Sequence, residues 1–293
     1  MSSSDGELTR RELLVAGALA AGYALAAGPV SAEAILTDDR GLVAGGVEIP
    51  QEDGPVPAYR ARPDSEGPFP VVLVVHEIFG VHEYIRDVCR RLAKQGFLAV
   101  APDLYRRQGD VSKIGSIGEI IQGVVRKVPD SQVISDLDAA LEWAHENHGS
   151  KGPAGVTGFC WGGRIVWLYA AWRRNGVVGA AWYGRLVGEE REETPAHPID
   201  VADKRLGPVL GLYGGADRGI PLDSVFAMRK ALAESNPHSE ILIFPEAPHG
   251  FHADYRPSYR PEDAREAWGR MLEWFRRRGV GDEERAADCP PAS

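Results

Sequence analysis

A cysteine flanked by glycines, with an aspartate and then a histidine further along, is the pattern in this chain best suited to covalent chemistry. Thr157-Gly158-Phe159-Cys160-Trp161-Gly162-Gly163 follows an apolar run and opens a stretch with helical spacing. That strand–turn–helix context is the setting of a nucleophile elbow of the form G-x-S-x-G, with cysteine in place of serine. An elbow holds its nucleophile at positive φ in a tight turn, so the residues two positions to either side must be small. Gly158 and Gly162 meet that demand. The turn points the sulfur at the start of the following helix, where free N–H groups and the helix dipole favour thiolate over thiol. The plainer alternative is a buried structural cysteine in a glycine-rich turn.

A nucleophile needs a base, and the base needs an acid to orient it. Two loops further along the chain offer them, each just past an apolar run: Gly214-Gly215-Ala216-Asp217, then Pro245-Glu246-Ala247-Pro248-His249-Gly250-Phe251. Asp217 and His249 therefore arrive in the order nucleophile, acid, base. The competing histidines His145, His197 and His252 follow no apolar run so closely. His76-Glu77-Ile78-Phe79-Gly80 closes an earlier run, which places the Glu77 carboxylate at a strand end near the nucleophile. The backbone N–H of Ile78 and that of Trp161, next after the nucleophile, are the expected halves of an oxyanion hole. As plainer readings, Asp217 is a turn-stabilising carboxylate, His249 a loop histidine and Glu77 a rim ion pair. There is no clustered His/Cys ligand spacing and no glycine-rich phosphate loop, so neither a metal nor a cofactor is expected.

The elements that must position these groups are legible as alternating periods. Residues 71–76 form a continuous β-branched run, as in a strand buried on both faces of a parallel sheet. Helical spacing from Tyr84 to Lys94 follows, with Gly96 as its C-cap, then a strand at 97–101. Residues 106–129 are polar and irregular, and Asp130 is expected to cap a helix reaching about His145. Further strands are expected at 154–157, 177–183, 208–213 and 240–244, with helices at 162–172, 223–233 and 264–277. An acidic loop holds Glu189-Glu190-Arg191-Glu192-Glu193. This alternation implies βαβ units, hence an α/β fold with a mostly parallel sheet covered by helices on both faces, in one domain spanning 33–280.

Composition agrees with a globular enzyme. Of 293 residues, 44% are apolar and 26% charged, and the net charge of −9 builds no basic face for nucleic acid. Three cysteines, Cys89, Cys160 and Cys289, are too few and too odd in number for a disulfide framework. The N-terminus reads as a targeting segment. Arg10-Arg11 precedes an Ala/Leu/Gly run from Val15 to Ala27, and Val30-Ser31-Ala32 offers a small-residue cleavage site. The run is too short to span a bilayer, which needs about 20 residues. Residues 1–32 are thus expected to be a twin-arginine-like export signal, with no stable membrane anchor, and 281–293 a polar tail.

Taken together, these motifs resemble the dienelactone hydrolases, the carboxymethylenebutenolidase type of α/β-hydrolase. The match runs over roughly residues 45 to 278 and rests on His76-Glu77-Ile78-Phe79-Gly80, Pro102-Asp103-Leu104-Tyr105, Gly158-Phe159-Cys160-Trp161-Gly162-Gly163, Gly214-Gly215-Ala216-Asp217 and His249-Gly250-Phe251. The resemblance implies the α/β-hydrolase fold and hydrolysis of a small-molecule ester or lactone by a Cys160–His249–Asp217 triad. It also implies that Glu77 pairs with the cysteine in the resting state. The family's first carboxylate-binding arginine falls on Arg107, with Tyr105 beside the same site. Its second falls on Ala253, with His252 and Arg256 near but not equivalent, so the dienelactone itself is a weaker expectation than the chemistry. A monomer or weak oligomer is expected. The alternatives are an exported general carboxylesterase and a non-hydrolytic binding relative.

Overall fold

The computed structural model describes residues 34–174 and 176–281, so the expected signal segment and Cys289 lie outside the described residues. Eight strands form one sheet in the order β1-β2-β4-β3-β5-β6-β7-β8. Strands β3 (Val71–Val75), β4 (Leu98–Pro102), β5 (Ala154–Phe159), β6 (Val177–Trp182), β7 (Val209–Gly214) and β8 (Glu240–Phe244) run parallel. Strands β1 (Leu42–Ile49) and β2 (Val56–Pro63) add an antiparallel hairpin at one edge. In β3 to β7 every residue is buried, as the continuous apolar runs require of a sheet covered on both faces.

Alternate residues of β3 face different cores. Val71, Leu73 and Val75 pack with helices α3 (Asp130–Glu146), α4 (Trp161–Arg173) and α5 (Leu222–Ser235), while Val72 and Val74 pack with α1 (Glu83–Lys94) and α6 (Pro261–Arg277). The stretch expected to be irregular contains a short helix, α2 (Ile117–Gly123), capped by the Ser116 hydroxyl accepting from Glu119 N–H at 3.2 Å. Asp130 is not the cap of α3. Pro129 takes that position, and the buried Asp130 carboxylate instead accepts two hydrogen bonds from Arg164 of α4, both 2.7 Å.

The chain leaves β3 toward β4 on one side and returns to place β5 on the other. That reversal opens a crevice at the carboxyl ends of β3 and β5, where an open α/β sheet binds its ligands. The ends of β7 and β8 lie along the same rim.

Candidate active site

Cys160 sits between β5 and α4 at φ 57, ψ −111, a strained backbone for a residue with a side chain. Its own N–H donates to the Trp182 carbonyl at 3.0 Å, which ties the turn to the neighbouring strand. The flanking glycines are required by close approach. A Cβ on Gly158 would lie 2.4 Å from the Gly162 carbonyl oxygen, and one on Gly162 would lie 2.3 Å from that of Val75. The elbow is therefore wedged directly against the end of β3, and Cys160 is buried there.

Asp217 follows β7. One of its carboxylate oxygens accepts from the Gly219 and Ile220 N–H groups at 2.7 and 3.1 Å, and the other meets His249 Nδ1 at 2.7 Å. Three partners fix the carboxylate, and the carboxylate fixes the imidazole. The Cys160 side chain lies close enough to the same ring to act on it electrostatically. Burial alone would lower the His249 pKa, but the charge of Cys160 and the hydrogen bond to the Asp217 carboxylate outweigh it and raise the pKa above the ordinary imidazole range. The three residues of the expected triad thus come from three separate strand ends and lie together, with Asp217 and His249 joined by a hydrogen bond.

Glu77, at the end of β3, is wholly buried. Arg256 Nη2 donates to one of its oxygens at 2.9 Å, and the Tyr255 hydroxyl donates to the other at 2.6 Å, with His82 Nε2 3.4 Å from that second oxygen. Burial would raise its pKa, yet Arg256, His82 and Tyr255 together draw it down to about 2. Both carboxylate oxygens are thus taken by the loop after His249 and by His82, not by Cys160, the partner the resemblance implied. Arg256 and Glu77 are 179 residues apart in the chain. Tight turns bring them together: Ala253 N–H donates to the Gly250 carbonyl at 2.9 Å and Arg256 N–H to the Ala253 carbonyl at 3.0 Å. Arg91 of α1 holds Asp254 of this loop by an ion pair.

His76 anchors the β3 end beneath. Its Nε2 accepts from Leu104 N–H at 3.2 Å, so its Nδ1 is the nitrogen that donates to the Glu77 carbonyl at 2.7 Å. Burial lowers its pKa, in keeping with this neutral tautomer. Its ring stacks on Trp161 with centroids 5.5 Å apart. Ile78 is buried on the turn that follows, and Trp161 begins α4.

The two expected substrate-binding residues are placed differently. Arg107 is already bidentate to internal carboxylates. Its Nη1 and Nη2 meet Asp136 at 2.6 and 3.0 Å, while Nε and Nη2 meet Asp53. A substrate carboxylate would have to displace one of these, so the structure gives Arg107 to the packing of α3 against the β1–β2 turn. Tyr105 is wholly buried, with its ring 4.5 Å from that of His76 and 5.0 Å from that of Trp161, which makes it a packing partner of both. Ala253, the counterpart of the second expected arginine, is buried beside Asp254.

A cleft of about 720 Å³ opens next to the Glu77 turn, lined by Phe79, His82, Tyr59, Arg86, Asp110 and Ser112 among others. The polar segment 106–129 therefore helps to shape the mouth.

Three residues not singled out as site residues by the sequence belong to this centre: Arg256, Tyr255 and Tyr183. Tyr183 follows β6 at φ 39, a second strained position, and is wholly buried. Its ring lies 5.2 Å from that of His249, edge to face. No strand-end polar pattern marks it, because a tyrosine closing an apolar run reads as core.

Comparison with known proteins assigns the chain to a family. The family model described as "Dienelactone hydrolase family" matches residues 56–279. A Methylorubrum extorquens protein provisionally named carboxymethylenebutenolidase is 55% identical over 273 residues, 92% of this chain and 94% of its own. An Escherichia coli K12 protein of the same provisional name is 51% identical, covering 88% of this chain and 96% of its own. The crystal structure of a provisionally named dienelactone hydrolase from Klebsiella pneumoniae superposes with a TM-score of 0.78 at 51% identity, covering 80% of this chain and 98% of that one. With an eight-stranded, mostly parallel sheet between two layers of helices and this match over most of its length, the chain is a hydrolase belonging to the dienelactone hydrolase family.

Proposed function

We propose that this protein hydrolyses a small ester or lactone through Cys160 as nucleophile, His249 as base and Asp217 as the group that orients it. The observation that carries the reading is the placing of Cys160, at strained φ on the elbow, beside the His249 ring whose Nδ1 meets Asp217 at 2.7 Å. Asp217 holds the Nδ1–H tautomer, which leaves the other ring nitrogen to take the thiol proton. The thiolate attacks the scissile carbonyl, and the N–H groups of Ile78 and Trp161 receive the oxyanion. Loss of one such donor costs about 3 kcal/mol of barrier. Collapse expels the alkoxide or enolate, which takes the proton back from His249, and water then attacks the thioester with His249 again as base. Glu77 and Arg256 form a fixed ion pair beside the reacting atoms.

A general carboxylesterase is the second reading, and the commitment of Arg107 to Asp53 and Asp136 favours it over a strict requirement for a substrate carboxylate. We further propose that residues 1–32 direct export and that the enzyme works outside the cytoplasm as a monomer or weak oligomer.

Steady-state hydrolysis of a carboxylated dienelactone and of an aryl acetate, by wild type and Cys160→Ala, tests this reading. Turnover of either substrate by wild type and none by the variant is the expected result, and the preferred substrate separates lactonase from esterase. Equal activity of the two proteins refutes the nucleophile.

A further inference from the structure

We infer that the Tyr183 hydroxyl is a specificity-determining donor that hydrogen-bonds a second, neutral oxygen acceptor on the acyl side of the substrate. The inference rests on Cys160 being the nucleophile and goes beyond it by naming what else the substrate must carry. Tyr183 combines two costly features. Its backbone is held at φ 39, a strained conformation for a non-glycine residue. Its hydroxyl oxygen is buried without a hydrogen-bond partner among the described residues. The Tyr84 hydroxyl is near enough to act on it, but lies outside hydrogen-bond geometry and is already bonded to His252 Nδ1 at 2.6 Å. A buried, unpaired hydroxyl is destabilising, so its retention next to the reacting groups calls for a partner supplied from outside.

The backbone around Tyr183 explains why the strain persists. The carbonyl of Trp182 accepts from Cys160 N–H at 3.0 Å, and Tyr183 N–H donates to the Leu212 carbonyl at 2.8 Å. A Cβ on Gly163 would lie 2.4 Å from that Trp182 carbonyl, so the start of α4 presses on the same turn. The kink that lifts the sulfur and the kink that aims the tyrosine are therefore built on one hydrogen bond. The ring stands edge-on to His249 at 5.2 Å, and Phe159 and Phe251 flank it. Its hydroxyl cannot relax toward water without dismantling that packing.

The charges around it select the acceptor. Burial raises the Tyr183 pKa well above its usual value, and the nearby Glu77 carboxylate raises it further, so the hydroxyl stays protonated and donates. A substrate carboxylate beside Glu77 would bring two anions together in a buried site, with Arg256 already committed to Glu77. A keto or ester carbonyl suffers no such repulsion. The acceptor is thus a neutral carbonyl oxygen a few bonds from the scissile one.

The test compares three para-nitrophenyl esters with a common leaving group, the levulinate, the pentanoate and the monosuccinate, on full-length wild type and Tyr183→Phe. Wild type is expected to favour levulinate over pentanoate in kcat/KM by about tenfold, with the monosuccinate poorest. The variant is expected to lose the levulinate preference, falling about tenfold further on levulinate than on pentanoate in kcat/KM, and to melt no lower than wild type. A variant that keeps the preference overturns the inference, as does one that falls equally on levulinate and pentanoate with a lowered melting temperature, the mark of a structural tyrosine. If wild type hydrolyses none of the esters and its Cys160 resists alkylation, the nucleophile reading itself fails and this inference falls with it. A wild type active on all three but without preference overturns the inference alone.

Discussion

Replacing Arg256 by methionine removes the principal counter-charge of a carboxylate that has no contact with water. Glu77 is 0% exposed and Arg256 4%. The Glu77 pKa, drawn from an ordinary 4.5 to about 2, corresponds to about 3 kcal/mol of native-state stabilisation at neutral pH. The sign follows from the direction of the shift. A carboxylate whose folded pKa is depressed contributes stability that is complete above pH 4.5 and is lost as pH falls toward 2. In Arg256→Met burial dominates instead, so the Glu77 pKa rises above its ordinary value and the pH dependence inverts. The variant then carries an uncompensated buried charge, worth about 3–5 kcal/mol of destabilisation at pH 8 in water. For a domain of this size that lowers the melting temperature by about 6 to 15 °C. At pH 5 the penalty shrinks, because protonation of Glu77 becomes possible. Urea denaturation of wild type, Arg256→Met, Glu77→Gln and the double variant at both pH values measures the coupling. The double variant is expected to recover at least half of the loss. A coupling below about 0.5 kcal/mol, or a penalty that grows on acidification, would refute this electrostatic account.

Three further outcomes are expected. Asp217→Asn retains the hydrogen bonds of its turn but favours the wrong His249 tautomer, so kcat should fall by roughly 10³- to 10⁴-fold with KM little changed, read by steady-state kinetics. Gly162→Ala places a Cβ 2.3 Å from the Val75 carbonyl oxygen and should unfold or severely destabilise the protein, whereas Gly269→Ala, with nothing within 4 Å on α6, should stabilise it by about 0.5–1 kcal/mol, both read by thermal melting. Replacing Arg10 and Arg11 together by lysine should retain the enzyme in the cytoplasmic fraction without altering the activity of the purified protein. Fractionation with an activity assay decides it, and undiminished export of the variant rules out a twin-arginine signal.

What could be read from the sequence followed from how each element is stabilised. β3 through β7 are buried on both faces, so their apolar runs announce them, and Cys160 and Asp217 each stand just past such a run, while His249 follows the apolar but partly exposed β8. The β1–β2 hairpin was not read, because its strands are partly exposed and carry Gly45, Gly46, Pro57 and Pro63, so no continuous apolar run marks them. Asp130 has the residue type of a cap, yet its carboxylate is claimed by Arg164 from another helix, a contact no local rule contains. Arg256 was noted only as near the second arginine position, and its pairing with Glu77 went unread for the same reason. Its role depends on two successive turns after His249 and on an anchor from α1, and neither leaves a mark in residue spacing. Arg107 shows the converse, a correct residue type in a sensible position whose guanidinium two internal aspartates had already engaged.

The 179-residue separation between Glu77 and Arg256 also makes the centre a reporter of folding. The ends of β3, β5, β7 and β8 all contribute to it, so no short contiguous fragment of the chain contains the site. Contacts this distant form slowly, because long loops must close before any of them is made. The sulfur therefore lacks its histidine, and the histidine its aspartate, until the sheet is complete from β3 to β8. Appearance of activity during refolding should accordingly track the last cooperative step, with no partially active intermediate, which makes a simple ester assay a direct clock for completion of the native sheet.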